Sequence, residues 1–232
     1  MAKFSKKMSC VNCRMKINIF NLLSDDELEE VNASRSEVLF NRGETLFKQG
    51  GPLTHIACIT SGMAKIYLED ARKKKNIILR LLRPGDMVGG PGLFVDFRNH
   101  FTVTAIAETR ACFIDINIFQ IILERNTQFN KAFIKYLNSQ TIRFYEKTVS
   151  LTFKQMPGRL ADTLLYLSND VYGKKSFSTS LSRQDIAELS SMTKESAIRI
   201  LKDFRNEGIL QITGDHFEIV RDDILKKISS SG

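Results

Sequence analysis

From residue 37 to residue 116 the chain alternates short apolar runs with polar breaks. The runs fall at 37–40, 45–47, 55–60, 63–68 and 77–82, and two more follow at 101–107 and 112–116. Between them stand turn signals, Arg42-Gly43, Gly50-Gly51-Pro52, Ser61-Gly62 and Arg83-Pro84-Gly85-Asp86. Strands at this spacing predict a small antiparallel barrel or roll. Ahead of it, Ser24 with Glu27 three residues on predicts a capping box that starts a small helix. After Asn117 the period changes. Residues 126–153 contain no Gly or Pro, and Phe129, Phe133, Tyr136, Leu137, Gln140 and Phe144 recur at steps of three and four. That is the pattern of one long amphipathic helix. Its aromatic stripe needs a partner, either the roll or a second helix, and its place between two domains favours a helix–helix dimer interface.

Met156-Pro157-Gly158 ends this helix and opens a second domain. Residues 159–167 read as a helix with Leu160, Leu164 and Leu167 on one face, before a loop at Gly173. Ser182 and Asp185 then form a capping box for a short helix whose buried positions are Ile186, Ala187 and Leu189. A tight turn at 190–193 follows, with Thr193 placed to cap the next helix. In that helix Ala197, Ile200, Leu201 and Phe204 fall on one face, while Lys194, Glu195, Ile198, Arg199 and Lys202 fall on the other. Two short helices with this turn, the outer one carrying exposed Glu and Arg near its start, predict a helix-turn-helix. The plainer alternative is a helical hairpin with a solvated charged face. Residues 208–220 read as two short strands around Gly214-Asp215, a wing beside the helices.

Composition sharpens this picture. The 232 residues hold 34 basic and 26 acidic side chains, a formal charge of +8. Such an excess favours a polyanionic partner, of which nucleic acid is the commonest. No apolar run approaches the roughly 20 residues that span a bilayer. The basic start of the chain is followed by no apolar stretch of the kind a secretion signal carries, so a cytoplasmic location is expected. The four cysteines, Cys10, Cys13, Cys58 and Cys112, read as reduced thiols or metal ligands before they read as disulfides.

Several phrases, taken in order, resemble the CRP/FNR family of bacterial regulators over nearly the whole chain. They are Gly43-Glu-Thr-Leu-Phe-Lys-Gln-Gly50, Ile59-Thr-Ser-Gly62 and Arg83-Pro-Gly-Asp-Met-Val-Gly89 in the roll, and Thr193-Lys-Glu-Ser-Ala-Ile-Arg199 in the outer helix. The resemblance implies an α+β chain. An N-terminal lead-in (1–23) would precede an antiparallel β-roll of cyclic-nucleotide-binding type, a double-stranded β-helix (24–125). A long dimerisation helix (126–155) and a winged helix-turn-helix (156–232) would follow. It also implies a homodimer on palindromic double-stranded DNA, a small-molecule effector, and RNA polymerase as a partner if the protein activates; no membrane is involved. Glu195 and Arg199 would read bases with help from Lys194, since Arg can donate twice to guanine and Glu can accept from cytosine. Ser182, Arg183, Thr193, Ser196 and Lys202 would contact the DNA backbone. Ser191 stands where the family often has Gly, a change expected to cost little.

The resemblance also bears on the input. Cyclic-nucleotide-binding relatives carry a Gly-Glu pair and, about ten residues on, an Arg-Ser pair whose arginine bonds phosphate. Here Gly89 is followed by Gly90, and Asn99-His100 falls at the second pair, with Arg98 near enough for a loop shift to bring it inward. An effector other than cyclic AMP is therefore expected. The oxygen-sensing branch holds an iron–sulfur cluster on a Cys-x-x-Cys, a third nearby Cys and one distant Cys. Cys10, Cys13 and Cys112 fit that set, but Ile19 occupies the third place and Cys58 would have to substitute. A cluster usually takes four thiolates. The preferred reading requires no cofactor, with Cys58 and Cys112 as small buried residues and Cys10–Cys13 as an exposed pair open to redox switching. A cupin-type metalloenzyme is disfavoured, because His55, His100 and His216 are far apart in sequence and make no ligand set.

Overall fold

The computed structural model describes residues 9–13, 16–70, 72 and 75–232. It divides into two compact units, one of residues 1–69 and 81–142, the other of 70–80 and 143–232. The basic stretch at residues 1–8 lies outside the described residues.

The first unit opens with a 3-10 turn, Asn18–Leu22, and helix α1 (Asp25–Ser34). The predicted capping box is formed: Glu27 N donates to Ser24 Oγ at 3.2 Å and Ser24 N to Glu27 Oε2 at 2.9 Å. Strands β1 (Arg35–Phe40), β2 (Thr45–Phe47), β3 (His55–Ser61), β4 (Ala64–Asp70), β5 (Lys75–Leu82), β6 (Met87–Val88), β7 (Thr102–Ala105) and β8 (Thr109–Asp115) follow. They make two four-stranded sheets, ordered β1-β8-β3-β6 and β2-β7-β4-β5. The turn before β4 shows why glycine is required there. Gly62 has φ +80°, and a Cβ on it would lie 2.0 Å from the Glu108 carbonyl oxygen.

Helix α2 (Ile116–Arg125) and helix α3 (Thr127–Phe153) as far as residue 142 close this unit; residues 143–153 of α3 and 75–80 of β5 are counted with the second. The strand-to-helix switch into α2 is sharp, because Asp115 caps it by accepting from Asn117 N at 2.8 Å. Phe20, Phe119, Phe129 and Phe133 then pack edge-on, with ring centroids 5.1–5.6 Å apart. Leu23, Leu28, Val31, Ile56 and Met87 join the same core. The end of the lead-in is thus part of the fold: Phe20 and Leu23 are buried.

The stripe predicted on the long helix has a divided fate. Phe129 and Phe133 are buried in the roll's core, Tyr136 and Leu137 pack against it, and Tyr136 Oη donates to the Met87 carbonyl. Phe144 is exposed. A different apolar row remains open, Ile134, Ile142, Tyr145, Val149 and Phe153. At about 100° per residue these fall on the opposite side of α3 from Phe133 and Gln140.

In the second unit α4 (Met156–Tyr166) begins with Pro157 in its first turn, where the missing N–H costs nothing. Strand β9 (Ser176–Ser178), helices α5 (Arg183–Leu189) and α6 (Lys194–Asn206), strands β10 (Leu210–Thr213) and β11 (His216–Ile219), and helix α7 (Asp222–Ser231) complete it. The sheet order is β10-β11-β9, so the wing has one strand more than the sequence pattern suggested. Tyr172, Phe177 and Phe217 stack through this sheet, with centroids 4.7 and 5.9 Å apart. Helix α7 crosses α4 where Gly158 meets Gly232, a contact that a Cβ on either residue would fill. Among the described residues no helix is long and apolar enough to cross a membrane.

Candidate DNA-binding interface

The helix-turn-helix is built as its caps dictate. Asp185 N donates to Ser182 Oγ at 3.1 Å and Ser182 N to Asp185 Oδ2 at 2.9 Å, so α5 starts at Arg183. Its short run buries Ile186, Ala187 and Leu189, and the chain turns on Ser190 and Ser191. Ser191 takes φ +51°, a left-handed backbone that side chains resist, and its Oγ is buried without a hydrogen-bond partner among the described residues. The expectation that serine costs little here needs correcting: the turn imposes the conformation for which glycine is suited. Thr193 caps α6 by accepting from Ser196 N at 3.2 Å, and its hydroxyl donates to Ser196 Oγ at 3.1 Å.

Helix α6 buries Ala197, Ile200, Leu201 and Phe204. Lys194, Glu195, Ile198, Arg199 and Lys202 are exposed, and Ser196 is half-buried. Glu195 and Arg199 are one turn apart on the open face, and Lys194 stands beside the helix start.

The residues expected on the DNA backbone differ in their freedom. Lys202 is exposed, and the Thr193 hydroxyl and Ser196 share a bond at the helix start. The Ser182 hydroxyl is spent inside the capping box, donating to Asp185 Oδ2 at 2.6 Å. Arg183 is drawn into the wing: its guanidinium donates to the Gly214 carbonyl at 2.8 Å and lies 4.7 Å from the Phe217 ring centroid. Burial there lowers its pKa. Arg183 therefore fixes the wing against α5.

One residue that the pattern did not mark also belongs to this architecture. Lys147, on α3, donates to the carbonyl of Leu189, the last residue of α5. Burial pushes its pKa down to about 8, with Asp162 acting to raise it and Arg159 to lower it. In sequence it reads as one more solvated charge on an amphipathic helix, and nothing local distinguishes it.

A family model described as a cyclic nucleotide-binding domain matches residues 37–126, and one described as a Crp-like helix-turn-helix domain matches residues 158–228. The chain belongs to the CRP/FNR family. It is 25% identical over 203 residues to a CRP-like cAMP-activated global transcriptional regulator of Mycobacterium tuberculosis, covering 86% of this chain and 90% of that protein. It is 24% identical over 197 residues to an anaerobic regulatory protein of Bacillus subtilis, covering 83% and 82%. Among solved structures, FixK2 from Bradyrhizobium japonicum has the same fold, with a TM-score of 0.76 at 17% identity over 84% of this chain and 96% of that one. A CooA mutant from Carboxydothermus hydrogenoformans gives 0.73 at 19% identity over 98% of each. The chain is thus a DNA-binding transcriptional regulator and not an enzyme.

Within this CRP/FNR regulator, the residues that the resemblance placed at an effector pocket are engaged locally. Gly89 and Gly90 are buried with φ +105° and +123°, and a Cβ on Gly90 would lie 3.2 Å from Leu137 Cδ2 and 3.3 Å from Phe133 Cζ. Arg98 points away on the surface and donates to the Gly50 carbonyl at 2.9 Å. The Asn99 amide donates to the Pro52 carbonyl at 3.0 Å, and His100 pairs with Asp96 at 3.1 Å. These contacts pin the 91–100 loop to the 50–52 turn.

The cysteines are arranged otherwise than expected. Cys10 and Cys13 are not a separate exposed pair: both are half-buried, and all four cysteines line one small, partly open pocket. Arg35, Lys16, Phe20 and Val31 share its wall. Arg35 Nη1 donates to Cys112 Sγ at 3.3 Å, and the guanidinium also bonds Cys10. Burial raises the pKa values of the Cys10, Cys58 and Cys112 thiols, Cys112 to about 11 and Cys58 further, with Arg35 opposing the rise at Cys10 and Cys112. The donor type and number suit an iron–sulfur cluster. Their placement does not: among the described residues no three His, Cys, Asp or Glu side chains are set to hold a metal ion.

Proposed function

We propose that this regulator acts as a homodimer on palindromic promoter sites, with Glu195 and Arg199 of α6 reading base edges and Lys194 assisting. The observation that carries this is the exposed α6 face, opposite the buried Ala197, Ile200, Leu201 and Phe204. Arg199 donates to guanine O6 and N7, and Glu195, one turn earlier, accepts from cytosine N4. Thr193, Ser196 and Lys202 meet the DNA backbone and set register, while Ser182 and Arg183 contribute through the cap and the wing. The open apolar row on α3, Ile142, Tyr145, Val149 and Phe153, supplies the dimer face. Half-sites then lie about one helical turn apart.

The effector is a molecule other than cyclic AMP. An acidic side chain at position 90 would have to displace Leu137 and Phe133, and Arg98 is committed to the Gly50 carbonyl. Selection from random DNA tests the whole reading. The wild-type chain should return a palindrome, and Arg199→Ala should lose discrimination at one G·C pair by about 1–3 kcal/mol. Failure to recover any palindromic motif would refute it.

A second reading, redox control through the cysteines, rests on the convergence of all four in one pocket. In the form of a cluster it has no convergent ligand set among the described residues, which favours thiol chemistry as its form.

A further inference from the structure

Cys58 and Cys112 stand directly opposite each other in the antiparallel pairing of β3 and β8. Directly opposed residues in such a pair have Cα atoms about 4.5–5.5 Å apart and side chains on one face. That separation lies inside the roughly 4.4–6.8 Å span that a disulfide bridges. The face opens into the pocket that Cys10 and Cys13 also line. Arg35 bonds one thiol of each kind, Cys112 from the strand and Cys10 from the lead-in. Cys10 is itself positioned, because its N–H donates to Asn32 Oδ1 at 3.2 Å and the same oxygen accepts from Arg35 Nε at 3.3 Å. A metal site needs three or four sulfurs pointing at one centre, which this pocket does not offer. A disulfide needs only two neighbours, which the strand register supplies.

We propose that Cys58 and Cys112 are an oxidation site for a low-molecular-weight disulfide, loaded through the Cys10–Cys13 segment. This deepens the redox reading above and rests on it. The Cys10 thiolate attacks one sulfur of the incoming disulfide, forming a mixed disulfide and releasing one thiolate. Cys112 gives up its proton as it attacks Cys10 Sγ, with Arg35 beside it to meet the developing charge; the second small thiolate leaves, and a Cys10–Cys112 bond is formed. Cys58 then attacks Cys112 Sγ and returns Cys10 to the thiolate. Overall the protein loses two electrons and two protons, and the small disulfide becomes two thiols. The buried thiols are poor leaving groups once paired, so the inner bond resists reversal.

The test uses the full reduced chain, prepared without oxygen and titrated with glutathione disulfide. Free thiols are then blocked with N-ethylmaleimide in denaturant, and peptides are mapped by mass spectrometry. The expected product is a Cys58–Cys112 linkage with two thiols lost per chain, formed about tenfold more slowly when Cys10 and Cys13 are both replaced by serine. Cys58→Ala, which keeps the site apolar, should abolish that linkage and leave the mixed disulfide or the Cys10–Cys112 bond. Full alkylation of Cys58 and Cys112 alongside a Cys10–Cys13 disulfide would overturn the proposal. So would stoichiometric iron and acid-labile sulfide in the anaerobic protein. Affinity for a selected DNA site separates the broader reading: oxidation should change it about fivefold or more. A linkage that forms with no such change refutes redox control while the oxidation site stands.

Discussion

Replacing Ser191 by glycine should stabilise the second unit. Ser191 sits at φ +51° in the turn between α5 and α6, held there by Ser191 N donating to Glu188 O at 3.3 Å and Met192 N to Ala187 O at 3.0 Å. A left-handed backbone costs a non-glycine residue roughly 1–2 kcal/mol. Glycine removes that strain but gives back about 0.5–1 kcal/mol by widening the unfolded ensemble. The serine Oγ is also buried with no partner among the described residues, and such a group costs roughly 1 kcal/mol or more. The net expectation for Ser191→Gly is a gain of about 1–2 kcal/mol, or about 5–10 °C in Tm for a unit of this size. Urea denaturation followed by circular dichroism should show a higher midpoint at an unchanged slope. Ser191→Ala is the control, since it deletes the hydroxyl but keeps the strain, and it should recover only the roughly 1 kcal/mol that the buried hydroxyl costs. DNA affinity should stay within about twofold, because Ser191 is not among the residues proposed to meet DNA. A glycine variant no more stable than the wild type, or an alanine variant that matches it, would refute the strain argument.

Lys147 gives a pH signature. Its folded pKa of about 8 lies below the ordinary lysine value, so the unfolded chain binds more protons between about pH 8 and 10.5. Stability should be flat below that window and rise through it by about 3 kcal/mol relative to Lys147→Met, measured by urea titration at each pH. Charge placed on the open row of α3, as Ile142→Glu with Val149→Glu, should convert a dimer to a monomer by analytical ultracentrifugation and weaken DNA binding at least tenfold; a variant that remains dimeric would show that another face is used. Gly62→Ala should destabilise the roll by more than about 4 kcal/mol, seen as loss of its thermal transition, because the new methyl would overlap the Glu108 carbonyl.

Local chemistry wrote much of this protein into its sequence. The capping boxes at Ser24 and Ser182, the Thr193 cap and the buried face of α6 all depend on residues within one or two helical turns, so spacing alone determines them. The turn glycines marked the roll's strands for the same reason. Short elements were harder to read: β6 and β9 have two and three residues, too few to show a period, and α2 follows β8 with no break in the apolar run. Other features belong to the tertiary structure because they join residues far apart in the chain. Which side of α3 meets the roll was decided by Phe20 and Phe119 packing on Phe129 and Phe133. Position 191 carries a serine whose strain is visible only in the backbone angle that the turn imposes. The four cysteines can be marked as candidates in the one-dimensional string, but their meeting cannot, and composition reads Cys10 and Cys13 as an exposed pair. Pairing of β3 with β8 sets Cys58 against Cys112, and docking of the lead-in on α1 brings Cys10 and Cys13 to the same pocket. No periodicity encodes that meeting, because strand register and lead-in docking are fixed by side chains distant in sequence from the sulfurs they bring together.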